Sequence, residues 1–265
     1  MSNTGARWRA GINLCWLLAV VFIGSGLAAG EALGETVVPD NKNIIRWARG
    51  TYEYRTLGEK TPRGWERFQL MVHPDGSRTL LMWHDLAARH AQFSVLLRTE
   101  ASFRPIEAYL NYWVESGYKG SALLRVTGDS LSVNSQGASG AHTQTVTTPK
   151  QFSIGTHPVS GDGWHLFQQS TNAEGQPLAR VFIMEASTDL TKPLLGSFVE
   201  MPFEKLGEVP TTTPAGEFVT THYRLAGLSD IWLAGQDRLL VRMVNQRRQL
   251  EYVLTDYAAG GGAQD

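Results

Sequence analysis

The sequence predicts an all-β protein. The expected architecture is one large curved antiparallel sheet, a half-barrel or open barrel, with a short helix and an irregular crossover loop in its middle. Three observations lead there. Beyond the N-terminal segment no run keeps a 3.6-residue period, whereas roughly a dozen short runs alternate or are rich in β-branched and aromatic residues. Turn residues punctuate those runs at regular spacing. Aromatics make up 10% of the 265 residues, with eight tryptophans, which suits a sheet with a wide inner face.

Residues 1–30 stand apart. Arg7 and Arg9 form a basic start, Ile12 to Ile23 an apolar run, and Gly24 to Gly30 a small-residue cleavage region. This is the pattern of a secretory signal peptide. The apolar run is about a dozen residues, short of the roughly 20 a spanning helix needs. A periplasmic protein of a Gram-negative cell with no stable membrane insertion after cleavage is expected. Cys15, the single cysteine, leaves with the signal, so neither disulfides nor cysteine chemistry enter the mature protein. Losing Arg7 and Arg9 takes the formal charge from −1 to −3. With no basic tract, nucleic acid is not an expected partner.

Residues 31–43 read as a linker, 44–257 as a single β domain and 258–265 as a Gly-rich disordered tail. Ile44 to Ala48 is a short helix or a strand entry, and Arg49 to Gly58 a strand. Trp65 to Val72 and Thr79 to Asp85 pair across the His73-Pro74-Asp75-Gly76 turn, where Asp75-Gly76 supplies positive φ. Leu86 to His90 is a helical turn or a loop. Gln92 to Thr99 is a strand; Ile106 to Val114 and Ser121 to Val126 form a hairpin. Ser130 to Ser135 and His142 to Thr147 alternate polar residues, as a half-solvated sheet does. Thr148 to Thr171 loses the period of two and reads as a crossover loop with a short helix near Gly163 to Gln169. Leu178 to Glu185 is a strand, and Leu190 to Glu208, with its prolines and glycines, a long connection. Pro214 to Tyr257 reads as a meander of four strands. The segments 44–147 and 178–257 could be two parts of one wrapped sheet.

The end of the chain carries a resemblance. Thr213-Pro214-Ala215-Gly216-Glu217-Phe218, the strand ending His222-Tyr223-Arg224, Asp230-Ile231-Trp232-Leu233 and the closing Glu251-Tyr252-Val253-Leu254 resemble a domain-of-unknown-function family of exported proteobacterial β-proteins. Gly50 to Tyr54, Asp75-Gly76 and the Pro105 segment fit the front of the same pattern. That family is similar to the curved-sheet carriers of the lipoprotein-chaperone (LolA-like) and lipocalin-like types. The resemblance implies a fold and a periplasmic location, and no catalytic residues.

Phosphate-loop, dinucleotide, His-Glu-x-x-His and Gly-x-Ser-x-Gly motifs are absent from the sequence, and neither a cofactor nor a metal is expected. Trp83-His84-Asp85 with His90 offers a base–orienter pair or metal ligands, but His84 and Asp85 are neighbours on a strand and point to opposite faces, so the cluster reads as a polar strand end. His157, Asp162 and His165 share the middle loop and are the candidate catalytic residues; the bland alternative is an ordered loop plugging one end of the sheet, with Trp164 and Phe167 as core plugs. Trp83, Tyr112, Trp113, Trp164 and Trp232 are the candidate ligand contacts, since a wide aromatic sheet either fills itself or encloses an apolar molecule. Three functions fit. One is a periplasmic binding or carrier protein for a hydrophobic small molecule or lipid. Another is a cavity lyase, isomerase or hydrolase using the loop histidines. The third is an envelope scaffold pairing through a sheet edge.

Overall fold

The computed structural model describes residues 42–261 apart from 168, 174 and 226–228. The expected signal peptide, most of the expected linker and the last four residues lie outside the described residues. Among the described residues sixteen strands form one large open sheet, antiparallel except where the short strand Ser153–Gly155 joins it. In chain order they are β1 (Arg46–Thr56), β2 (Pro62–Val72), β3 (Arg78–Leu86), β4 (Ala91–Thr99), β5 (Pro105–Val114), β6 (Gly117–Thr127), β7 (Ser130–Gly137) and β8 (Gly140–Thr147). After the middle segment come β9 (Ser153–Gly155), β10 (Gln169–Thr171), β11 (Pro177–Met184), β12 (Gly196–Thr213), β13 (Gly216–Leu225), β14 (Ser229–Ala234), β15 (Leu239–Asn245) and β16 (Leu250–Gly261).

The spatial order is β10-β11-β12-β13-β14-β15-β16-β1-β2-β3-β4-β5-β6-β7-β8, with β9 parallel to β11. Two meanders, β1–β8 and β11–β16, therefore join where the first strand pairs with the last. The inner face follows from period-two alternation. Phe68, Met82, Val95 and Leu110 are cross-strand neighbours on it, as are Leu70, Leu80, Leu97 and Ala108. All eight are buried.

Among the described residues β8, at one end of the sheet path, does not pair as a strand with β12, yet one side chain joins the two. Gln144 on β8 donates through Nε2 to the Gly196 carbonyl at 2.8 Å and accepts from the Gly196 N–H at 3.1 Å. Its amide does what a neighbouring strand's peptide would do.

Three stretches differ from expectation. Leu190 to Glu208 is not a long connection, because residues from Gly196 onward begin β12, the longest strand. Its prolines are tolerated because each half of β12 has a single partner. Residues up to Pro202 pair with β11, and those from Phe203 pair with β13. A missing N–H at Pro202 or Pro210 can then face the free side. A bulge between Lys205 and Gly207 accompanies the change of partner. The Glu115–Gly120 loop is tighter than expected, since β6 already begins at Gly117. Residues 258–261, expected in the tail, extend β16 and pair with Arg46 to Arg49. Gly260 permits this: a Cβ there would lie 2.9 Å from the Trp47 indole.

The Leu86–His90 stretch is a 3₁₀ turn over Ala87–Arg89. The middle segment holds β9 and a 3₁₀ segment, Val159–Leu166, slightly earlier than the helix expected near Gly163.

Candidate functional site

The middle segment plugs one end of the curved sheet. Trp164 is buried, and its indole N–H donates to the Asp237 carbonyl at 3.0 Å. The Asp237 carboxylate sits in the β14–β15 turn and takes a bidentate pair of bonds from Arg46 at 2.7 and 2.8 Å, and one from Arg78 at 3.0 Å. These bonds hold its carboxyl below the usual range against the opposing effect of burial, the largest single influence. The 3₁₀ segment reaches this end only because residue 163 is glycine. A Cβ there would come within 2.1 Å of the Arg238 carbonyl oxygen.

From inside, one carboxylate anchors the plug. Glu66 is fully buried on the inner face of β2. It accepts from the Tyr54 hydroxyl at 2.5 Å, the Val159 N–H at 2.6 Å, the Ser160 N–H at 3.1 Å and the Ser160 hydroxyl. Burial pushes its pKa up to about 7, and these four donors keep it from rising further.

Beyond the plug, toward the other end of the sheet, lies a cavity of about 970 Å3. That is near the top of the range for small-molecule pockets, about 300–1,000 Å3. Its two flanks differ. The β3–β5 flank carries His84, Arg89, Phe93 and Tyr112, faced by His157 of the middle segment. The β12–β16 flank carries Met201, Leu225, Ile231, Met243, Leu250 and Tyr252.

His84 is 4% exposed, and neither ring nitrogen has a hydrogen-bond partner among the described residues. Its ring meets Tyr54 edge-on at 4.8 Å and lies 5.6 Å from Phe93. Burial lowers its pKa to about 3, helped by the positive influence of His157 and Arg89. The imidazole is therefore neutral at ordinary pH and offers one N–H donor and one acceptor. His157 adopts φ +78°, and its Nε2 lies 2.8 Å from the Met184 carbonyl. A carbonyl can only accept, so Nε2 carries the proton and Nδ1 is left as the acceptor of the neutral ring. Burial lowers the His157 pKa as well. Arg89 reaches from the 3₁₀ turn to the Ala186 carbonyl at 3.4 Å, which also accepts from the Tyr112 hydroxyl at 3.0 Å.

His165 lies between Ser153 Oγ, 2.8 Å from Nδ1, and Asp162 Oδ1, 3.3 Å from Nε2. The residue types are those of a nucleophilic triad. The exposure is reversed, however. Asp162 and His165 line the cavity, whereas Ser153 is 3% exposed on β9 and does not. Acyl transfer needs the hydroxyl at the substrate and the carboxylate behind it.

The structure brings the three candidate catalytic residues, His157, Asp162 and His165, to one cavity wall. It separates the five candidate ligand contacts. Tyr112 lines the cavity, and Trp164 is packed into the plug against Phe103. Trp83 and Trp113 stand on the outer face, 53% and 42% exposed. Trp232 stacks on His222 at 4.5 Å, with Arg242 over its ring. His84 and Asp85 do point to opposite faces. Sequence reasoning passed over Glu66 and read His84 as part of a polar strand end, whereas His84 is buried and lines the cavity; a signal for both was present. Glu66 shares its strand phase with Phe68, Leu70 and Val72, and His84 with Leu80 and Met82, so each is a polar residue on an apolar phase. Among the described residues, no three His, Cys, Asp or Glu side chains gather as metal ligands would.

No family model matches the sequence, and no curated protein matches it. Two solved structures are similar in fold. One is a β-barrel-like protein of the domain of unknown function DUF1849 from Brucella abortus, with TM-score 0.46 and 8% identity, covering 82% of this chain and 98% of that one. The other is a DUF1089 family protein from Pseudomonas aeruginosa, with TM-score 0.42 and 14% identity, covering 71% of this chain and 92% of that one. Both likenesses concern architecture alone.

Proposed function

We propose that this protein is a periplasmic binding or carrier protein for a hydrophobic small molecule or lipid. The observation that carries the reading is the cavity of about 970 Å3, bounded on one side by the plug and lined by aliphatic and aromatic side chains with polar and charged ones among them. A sheet of this width cannot fill its own interior with side chains. Here the plug occupies one end and the other remains available to a ligand. The basic start, short apolar run and small-residue cleavage region of residues 1–30 support export. The curved sheet with an apolar interior supports a LolA-like or lipocalin-like mode of carriage.

The test is native mass spectrometry of protein purified from its own compartment, followed by solvent extraction. A stoichiometric apolar molecule is the expected result. A protein that carries no such molecule and takes up no apolar fluorescent probe would refute the carrier reading.

One observation favours a second reading. Asp162 and His165 form a pair at the cavity wall, and such a pair can move a proton at a bound ligand. On that reading His165→Ala abolishes turnover of the extracted molecule while leaving its binding within a few-fold. Unchanged turnover would remove His165 from any chemistry.

A further inference from the structure

The polar features of the cavity are not spread evenly, and they narrow the class of ligand. His84 is almost fully buried, lines the cavity, and has no partner for either ring nitrogen among the described residues. A buried donor or acceptor without a partner is costly, so natural proteins rarely keep one without a use. Arg89 lines the same flank and makes one long contact, to the Ala186 carbonyl. It has no acidic partner among the described residues. Arg63, Lys192 and Arg248 line the cavity too. The cavity's own carboxylates are Asp162, engaged by His165, and Glu185, which accepts from the Ser187 N–H at 2.7 Å. Cations therefore outnumber anions around the space, and the opposite flank combines the apolar Leu225, Ile231 and Met243 with Ser229, Asn245 and Arg248.

We infer that the cavity takes an apolar monocarboxylate, its carboxylate between the His84 imidazole and the Arg89 guanidinium and its hydrocarbon body against the β12–β16 flank. This rests on the carrier reading and adds the head group to it. A neutral imidazole alone would accept any hydroxyl or amide. The adjacent, unneutralised guanidinium decides for an anion, and its planar fork matches the two oxygens of a carboxylate. A turn of the His84 ring, both of whose nitrogens are covered in this structure, supplies a further donor to the head group. A head bound at His84 and Arg89 leaves the body free to lie against Leu225, Ile231, Met243 and Tyr252 across the cavity.

The experiment is calorimetric titration of the full mature chain with laurate and with 1-dodecanol, which share a twelve-carbon chain and differ in the head. Laurate is expected to bind at least about tenfold more tightly, the effect of one charge-assisted bond. Arg89→Gln, at an exposed position, is expected to abolish that preference, and His84→Phe to reduce it several-fold. Laurate is also expected to move the titration of the His84 ring, followed by its carbon resonances, to higher pH, which a purely structural histidine would not show. Equal binding of acid and alcohol would overturn the carboxylate inference and leave the carrier reading standing. Binding of neither would overturn both.

Discussion

Two buried side chains with opposite titration behaviour face the interior of this protein. Glu66 has a folded-state pKa of about 7, above its ordinary 4.5, so it stabilises the fold below pH 4.5 and that contribution is lost as pH rises to 7. His84 is depressed from 6.5 to about 3, so its contribution is full above 6.5 and is lost as pH falls toward 3. Between about 4.5 and 6.5 the two slopes oppose each other, each about 1.4 kcal/mol per pH unit. Denaturant unfolding of Glu66→Gln should therefore show stability rising with pH across that window, and His84→Phe should show it falling. Parallel curves for both variants would contradict the assignment. Glu66→Ala should cost on the order of 3–5 kcal/mol, because two buried backbone N–H groups and two hydroxyls lose their acceptor. Both residues were legible as polar members of apolar strand phases. Their partners were not: Val159 and Ser160 lie some ninety positions beyond Glu66, and no local pattern announces that contact.

The middle segment is the element on which the site depends. Its lack of a period-two pattern was visible in the sequence, and a plug bearing Trp164 was one of the two readings open there. Its anchoring by Asp237, and the use of Gly163 to approach a backbone carbonyl, depend on tertiary placement that spacing does not encode. Gly163→Ala should force the plug away from the β14–β15 turn and destabilise by about 1–3 kcal/mol or more, read as a lowered Tm. Trp164→Ala should cost about 3–5 kcal/mol by leaving a cavity and an unmet Asp237 carbonyl. β12 was hidden for a different reason. Proline is a strand breaker only where both edges are used, and β12 uses one edge at a time.

At the scale of the whole molecule, the wrapped sheet of two meanders was readable from turn spacing and strand composition. Which strands would meet was not. The β1–β16 pairing brings together residues about two hundred positions apart, and a glutamine side chain joins β8 to β12. Gln144→Ala should remove two hydrogen bonds and cost about 1–3 kcal/mol. Its signature should be local: faster hydrogen exchange at the Gly196 amide with the β1–β16 amides unchanged. Uniform loss of protection would mean that the seam supports the entire sheet. The central β1–β16 pairing also sets an order of events during synthesis. Strands β1 to β8 can zip together as they emerge, each finding its neighbour nearby. The outer edge of β1 has no partner until Leu250 and the residues after it have been made. A copy whose β1–β8 half closes before β16 arrives presents a bare eleven-residue edge, open to pairing with a second copy, until β16 covers it.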